Sequence, residues 1–226
     1  MKMEAKIIIR QATFSDLNAM FYVENEAWPV ALRANEKMFY SRIETFPEGN
    51  FVAVFDNDLV GFVCTQIIKF DKKNISKTWY EATDNGYIKK THNYNGDYMY
   101  GVSLSVLPSA THLTSFRLLE ATGKMAVGFN LKGGILAARI PSYYKYADHV
   151  QVEDYVFKRN KRGKFLDPEL NIYYKAHLRP VKILKDYIND PDSLNYGVLL
   201  EWRNRFYYLG KAIPPLRKWL VKLTNM

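Results

Sequence analysis

With a single cysteine, Cys64, the chain can form no disulfide within itself and no cysteine-based metal cluster. Cys64 lies in the apolar run 60–64, where a free thiol is ordinarily a small buried core residue. Long hydrophobic runs are also missing. The longest, such as residues 7–9 and 198–200, fall far short of the roughly 20 apolar residues that cross a bilayer. The opening residues 1–6 are polar and charged, and the apolar stretch behind them stops at Arg10, too short for the core of a secretory signal. The expectation is a cytoplasmic protein without a membrane-spanning helix. The histidines His92, His112, His149 and His177 show no metal-ligand spacing, so no metal is expected. Internal repeats and low-complexity segments are absent from the sequence.

What is present suits one mixed domain. The 226 residues are 48% hydrophobic and 15% aromatic, enough for a substantial single core. The formal charge of +9 is spread over the segment 158–164 and the tail 211–222, a diffuse basic surface that points to no nucleic-acid partner. Residues 7–9 read as a strand, and Thr13, Ser15 and Asp16 supply a helix start before Leu17, Met20, Phe21 and Glu24 at helical spacing. A second helix spans 35–46, ahead of Pro47 and Gly49. Residues 51–55 and 59–67 flank the turn Asp56-Asn57-Asp58 as a hairpin. The polar stretch 69–97, holding Trp79 and Tyr80, reads as an insertion. A strand at 98–107, a helix at 114–127 and a strand at 133–140 follow. A helix is expected near 152–159, strands near 172–176 and 196–202, and a terminal helix after Pro215.

This order resembles the GNAT acyltransferase fold, an α/β (α+β) arrangement with a central mixed, mostly antiparallel sheet flanked by helices, and particular residues strengthen the match. Ile9-Arg10-Gln11-Ala12-Thr13 with Asp16 looks like the common GNAT opening, and the hairpin like its second and third strands. Trp28, Arg42, Phe46-Pro47-Glu48-Gly49, Trp79, Thr83, Gly86, Thr91-His92 and Tyr100-Gly101-Val102 look like one bacterial subgroup. So do Arg139-Ile140-Pro141-x-Tyr143, Asp167-Pro168-x-Leu170 and Tyr196-Gly197-Val198-Leu199-Leu200-x-Trp202. The resemblance covers residues 6 to about 204 and implies a GNAT-like domain over 1–204 with a helical tail at 205–226. The insertion then precedes the fourth strand.

The resemblance implies an N-acetyltransferase with acetyl-CoA as acyl donor and an amine as acceptor. Its pyrophosphate is expected on the loop 110–115 before the helix, with His112, Leu113, Thr114 and Ser115 as binding residues. Neither position where the family usually carries glycine holds one, and Leu113 stands at the first. A backbone N–H at Val106 or Leu107 is expected to meet the thioester carbonyl. A tyrosine after the fifth strand commonly serves as general acid, which selects Tyr144, then Tyr143, with Tyr146 also at hand and aromatic packing the ordinary alternative. Glu24, with Glu26 beside it and Glu81 in the insertion as alternatives, is the candidate base, a solvated carboxylate being the ordinary reading of each. Glu26, Trp79, Tyr80 and Ser103 are expected on the acceptor side, with Trp79 and Tyr80 as an aromatic wall if the insertion folds back. Homodimerisation is left open.

Two other readings compete. The missing glycines suit a GNAT-fold CoA-binding or regulatory module without catalysis. The tail 213–223, which mixes Trp and Leu with Arg and Lys, has the composition of an interfacial helix or, more commonly, of one docked on its own domain.

Overall fold

The structure, a computed structural model, describes residues 6–224 apart from the side chain of His112. Seven strands form one sheet in the order β1-β2-β3-β4-β5-β7-β6. They are β1 (Ile8–Gln11), β2 (Asn50–Phe55), β3 (Asp58–Ile68), β4 (Tyr98–Val106), β5 (Gly133–Ala138), β6 (Arg179–Leu184) and β7 (Gly197–Arg203). Every neighbouring pair is antiparallel except β4 with β5, which is parallel.

The helices are α1 (Leu17–Ala27), α2 (Glu36–Thr45), α3 (Trp79–Thr83), α4 (His112–Gly128), α5 (Val152–Phe157), α6 (Pro168–Lys175), α7 (Tyr207–Ala212) and α8 (Arg217–Leu223). The chain enters α1 through a capping box. Asp16 accepts the Thr13 N–H at 2.8 Å and is gripped by both Arg10 guanidinium nitrogens at 2.7 Å. Asn35 caps α2 by accepting the Met38 N–H.

Two apolar layers sandwich the sheet. On one face Met20 and Val23 of α1 and Phe39 of α2 bury against Phe62, Cys64 and Ile67, with Phe39 and Phe62 edge to face at 5.2 Å. On the other, Leu118 of α4 is fully buried against Ala53 and Val63. Each such side chain contributes about 1.5–3 kcal/mol by leaving water.

The structure departs from the sequence reading in the last third. Residues 172–176 lie in α6 and its cap, and the edge strand is β6 instead. Ile172, Tyr173 and Tyr174 favour strands by type, but Asp167 caps the helix by accepting the Glu169 and Leu170 N–H groups, and Pro168 stands at its first turn. Pro180 lies within β6, which an edge strand tolerates. A further helix, α7, precedes α8. The latter docks on α4, burying Leu220 and leaving Trp219 exposed.

Candidate active site

The parallel strands β4 and β5 pair only from Tyr98 with Gly133 to Gly101 with Leu136, then part. Gly101 makes this last close approach feasible, because a Cβ there would stand 3.0 Å from Leu136 Cβ. Beyond it, β5 stays with β7 and the rest of β4 with β3, in whose register Val102 is an extra, bulged residue. A wedge opens between them, and it holds a cavity of about 250 Å³.

Direction along β4 decides what faces the wedge. The Leu107 N–H donates to the Val60 carbonyl of β3 at 2.9 Å, so it is unavailable to a ligand, contrary to one of the two expectations for the carbonyl-binding amide. Backbone groups alternate along a strand, which turns the Val106 N–H to the open side. Side chains alternate as well. Leu104 and Val106 pack towards α4, whereas Ser103 and Ser105 lie on the face of α1 and α2, and all four line the cavity.

Behind that second face a buried polar network is fixed. The Ser105 hydroxyl donates to Glu24 Oε2 at 2.7 Å and accepts the Trp28 indole N–H at 2.8 Å. The other Glu24 oxygen accepts the Ala34 N–H at 2.8 Å. Glu24 and Ser105 are 2% and 1% exposed, and burial pushes the Glu24 carboxyl above the usual carboxylate range despite these hydrogen bonds and the nearby Arg42 and Arg33. Arg42, fully buried, donates to the Ser103 hydroxyl at 3.1 Å and to the Gly86 carbonyl at 2.7 Å.

The insertion folds onto the wedge. Its helix α3 places the Trp79 indole N–H on the Val102 carbonyl at 3.1 Å, while the Trp79 backbone N–H binds the Tyr187 carbonyl. Trp79 lines the cavity; Tyr80 stacks edge-on beside it at 5.5 Å and faces out. Across the wedge stand Arg139 of the β5 end and Glu169 and Tyr173 of α6. Arg139 binds Asp190 through two nitrogens at 2.7 and 2.9 Å and lies 5.1 Å over the Trp28 ring. Burial, joined by the charge of Asp167, pushes the part-buried Glu169 carboxyl up to about 7, and burial likewise raises the Tyr173 hydroxyl.

The loop between β4 and α4 holds no left-handed residue among those described, so its path needs no glycine. Ser115 on the first turn of α4 lines the cavity, Thr114 is buried beside it, and Leu113 turns out to solvent, half exposed. The Thr114 N–H is taken by the Thr111 carbonyl at 2.9 Å, while the helix N-terminus as a whole carries partial positive charge.

Of the residues selected from sequence, Trp79, Ser103, Val106 and Ser115 meet at the wedge, and Glu24 reaches it through Ser105. Tyr143 and Tyr144 do not line it: the Tyr143 hydroxyl donates to the Val150 carbonyl at 3.2 Å, and Tyr144 is 49% exposed under Lys145. Glu26 is also exposed, away from the cavity. The His112 side chain lies outside the described residues. Sequence reasoning passed over Ser105, Glu169 and Tyr173, and it carried Trp28 and Arg139 only as motif residues without a role. The helix-start signal at Asp167-Pro168 would have placed Glu169 and Tyr173 one turn apart on one helix.

A mixed sheet parted between two parallel strands over a helix N-terminus defines the acyl-CoA-dependent acyltransferase fold. No family model matches the chain. It is 34% identical over 211 residues to YkwB of Bacillus subtilis, an uncharacterized N-acetyltransferase, covering 91% of this chain and 92% of that protein. The loading GNATL domain of CurA from Lyngbya majuscula superposes with a TM-score of 0.77 at 21% identity, over 88% of this chain and 98% of that domain. The GphF GNAT-like decarboxylase in complex with isobutyryl-CoA gives 0.73 at 24% identity, over 87% and 98%. The chain belongs to the GNAT N-acetyltransferase superfamily.

Proposed function

We propose that the protein is an acyl-CoA-dependent N-acyltransferase that moves the acetyl group of acetyl-CoA to a primary amine by direct attack. The observation that carries this reading is the parting of β4 from β5, which leaves one backbone edge of β4 unpaired beside a cavity at the start of α4. An extended thioester arm can pair with that edge as a strand would, with its carbonyl on the Val106 N–H and its pyrophosphate over the amides of Leu113 and Ser115, the Thr114 N–H being held by the Thr111 carbonyl. That GphF is seen with isobutyryl-CoA supports an acyl-CoA in a wedge of this kind.

The acceptor enters from the face of α1 and α2, between Trp79 and Ser103. A primary amine arrives as an ammonium ion, and Glu169, near neutrality in its protonation, can hold it and take its first proton. Tyr173, the tyrosine of α6 on the cavity wall, takes the place expected of Tyr144 or Tyr143 and protonates the departing thiolate.

Calorimetric titration with acetyl-CoA and desulfo-CoA comes first, then turnover with spermidine, tyramine and a lysine-containing peptide, read as released thiol. Cys64 is buried, so free thiol reports CoA. Micromolar binding with acylated amine is the expected result. Binding without turnover would leave a CoA-binding module, and no binding at millimolar ligand would overturn the assignment.

A further inference from the structure

We infer that Ser105 and Glu24 form a proton relay from the acceptor nitrogen into the protein interior, with Ser105 touching the acceptor and Glu24 as the terminal base. The inference rests on the acyl transfer proposed above and assigns its second proton.

The hydrogen-bond directions orient the resting relay towards Glu24. A serine hydroxyl has one proton and two acceptor sites. Ser105 spends its proton on Glu24 Oε2, and one acceptor site is taken by the Trp28 indole, which can only donate. One acceptor site remains, and Ser105 lines the cavity. The group that completes its valence is therefore a donor in the cavity, such as the N–H of an attacking amine. Glu24 cannot swing away, because its second oxygen is held by the Ala34 N–H.

Position favours the same residue. Ser105 precedes Val106, whose N–H faces the wedge, so a thioester carbonyl bound there brings its carbon next to the Ser105 hydroxyl on the acceptor face. As the C–N bond forms, the nitrogen passes a proton to Ser105 Oγ while Ser105 passes its own to Glu24 Oε2. The C–S bond then breaks, CoA leaves as thiolate and takes the Tyr173 proton, and the amide is released. Water in the emptied cavity then takes the proton back from Glu24 through Ser105 and restores that of Tyr173, while Glu169 gives its proton to bulk water.

The charged and titratable groups around Glu24 are Arg33 between α1 and α2, Arg42 of α2 and Cys64 of β3. The guanidinium of Arg42 favours the carboxylate form that burial disfavours, and burial is the larger effect, so Glu24 is a stronger base than an exposed carboxylate.

The test compares Ser105→Ala, Ser105→Thr and Glu24→Gln with the wild type on the acceptor that turns over best. A general base contributes roughly 100- to 10,000-fold. The relay predicts that Ser105→Ala and Glu24→Gln each lower kcat by at least about 100-fold. Acetyl-CoA affinity should stay within about threefold, and the rising limb of the pH–rate profile that belongs to Glu24 should vanish. Ser105→Thr, which keeps the hydroxyl, should restore most of the rate. A merely structural serine would move stability and affinity together and leave the pH profile in place, and that result overturns the relay. So does a Ser105→Ala rate within a few-fold of wild type. If Ser105→Ala does not fold, Glu24→Gln, which keeps an acceptor for the Ala34 N–H, decides the matter by the same readouts. If the wild type binds no acetyl-CoA or acylates none of the amines, the acyltransferase reading has failed, and the relay with it. Failure of the relay alone leaves wild-type turnover intact.

Discussion

Asp190 shows how one residue can tie the site to the rest of the molecule. Its carboxylate is buried, accepts two guanidinium hydrogen bonds from Arg139 and a third from the Ser193 hydroxyl, and so holds Arg139 against the cavity and over Trp28. Burial alone would raise the Asp190 carboxyl, but the Arg139 and Ser193 hydrogen bonds and the Arg139 charge outweigh it, and the net shift is downward. A depressed carboxyl contributes stability above its unfolded value of about 3.9, and that contribution is lost as pH falls through the folded value. Asp190→Asn should cost about 3 kcal/mol at pH 7, because it strands a buried guanidinium, and the deficit should shrink towards strongly acidic pH. Urea midpoints across pH measure it, and a deficit independent of pH would contradict the ion-pair account. Neither partner announces this pairing in the sequence, where Arg139 and Asp190 stand 51 positions apart.

At the scale of elements, the parting of β4 and β5 is the feature on which the site depends, and Gly101 is where it begins. Any side chain there meets Leu136 across the last shared pair. Gly101→Ala should destabilise the fold by about 1–2 kcal/mol and weaken acetyl-CoA binding several-fold by shifting the strands that form the wedge. Melting curves and calorimetry on the same variant check both effects, and an unchanged affinity would show that the opening is set elsewhere. Most elements were legible locally: Thr13 and Asp16, Asn35, and the turn Asp56-Asn57-Asp58 each mark a boundary where the structure has one. The stretch 172–176 was not. Its β-branched and aromatic residues speak for a strand, and only the cap at Asp167 and packing in three dimensions make it α6. The insertion was read correctly as inserted, but its role in walling the cavity rests on contacts with residues distant in sequence, among them the hydrogen bonds from Trp79 to the bulged Val102 carbonyl and to the Tyr187 carbonyl.

For the whole molecule, two properties bear on function. The net charge of +9 attracts a polyanionic donor at long range, and salt screens such attraction. Raising salt from about 0.05 to about 0.5 M should weaken acetyl-CoA binding several-fold. An affinity insensitive to salt would mean that the helix amides of α4 hold the phosphates without help from the surrounding cations. The second property is that α8 sits on α4 with Leu220 buried. It covers the helix whose first turn faces the wedge.

The sequence by itself determined the class of fold, the caps and turns that bound most elements, and the family, because these depend on residue type and spacing along the chain. It also settled the absence of a disulfide within the chain. The arrangement of the site was decided only in the folded chain. The cavity joins residues from α1, α6, β4, β5 and the insertion, so contact between them depends on which strands pair and where they part. The same holds for the relay, which joins Trp28, Ser105 and Glu24 across 77 to 81 positions. The two tyrosines chosen from their place after β5 lie elsewhere because the 3-10 turn that follows Pro141 buries one and turns the other to solvent. Local spacing carries no information about that direction. The missing glycines, prominent in the one-dimensional pattern, put no strain on the backbone, because the path of the loop requires no left-handed residue among those described.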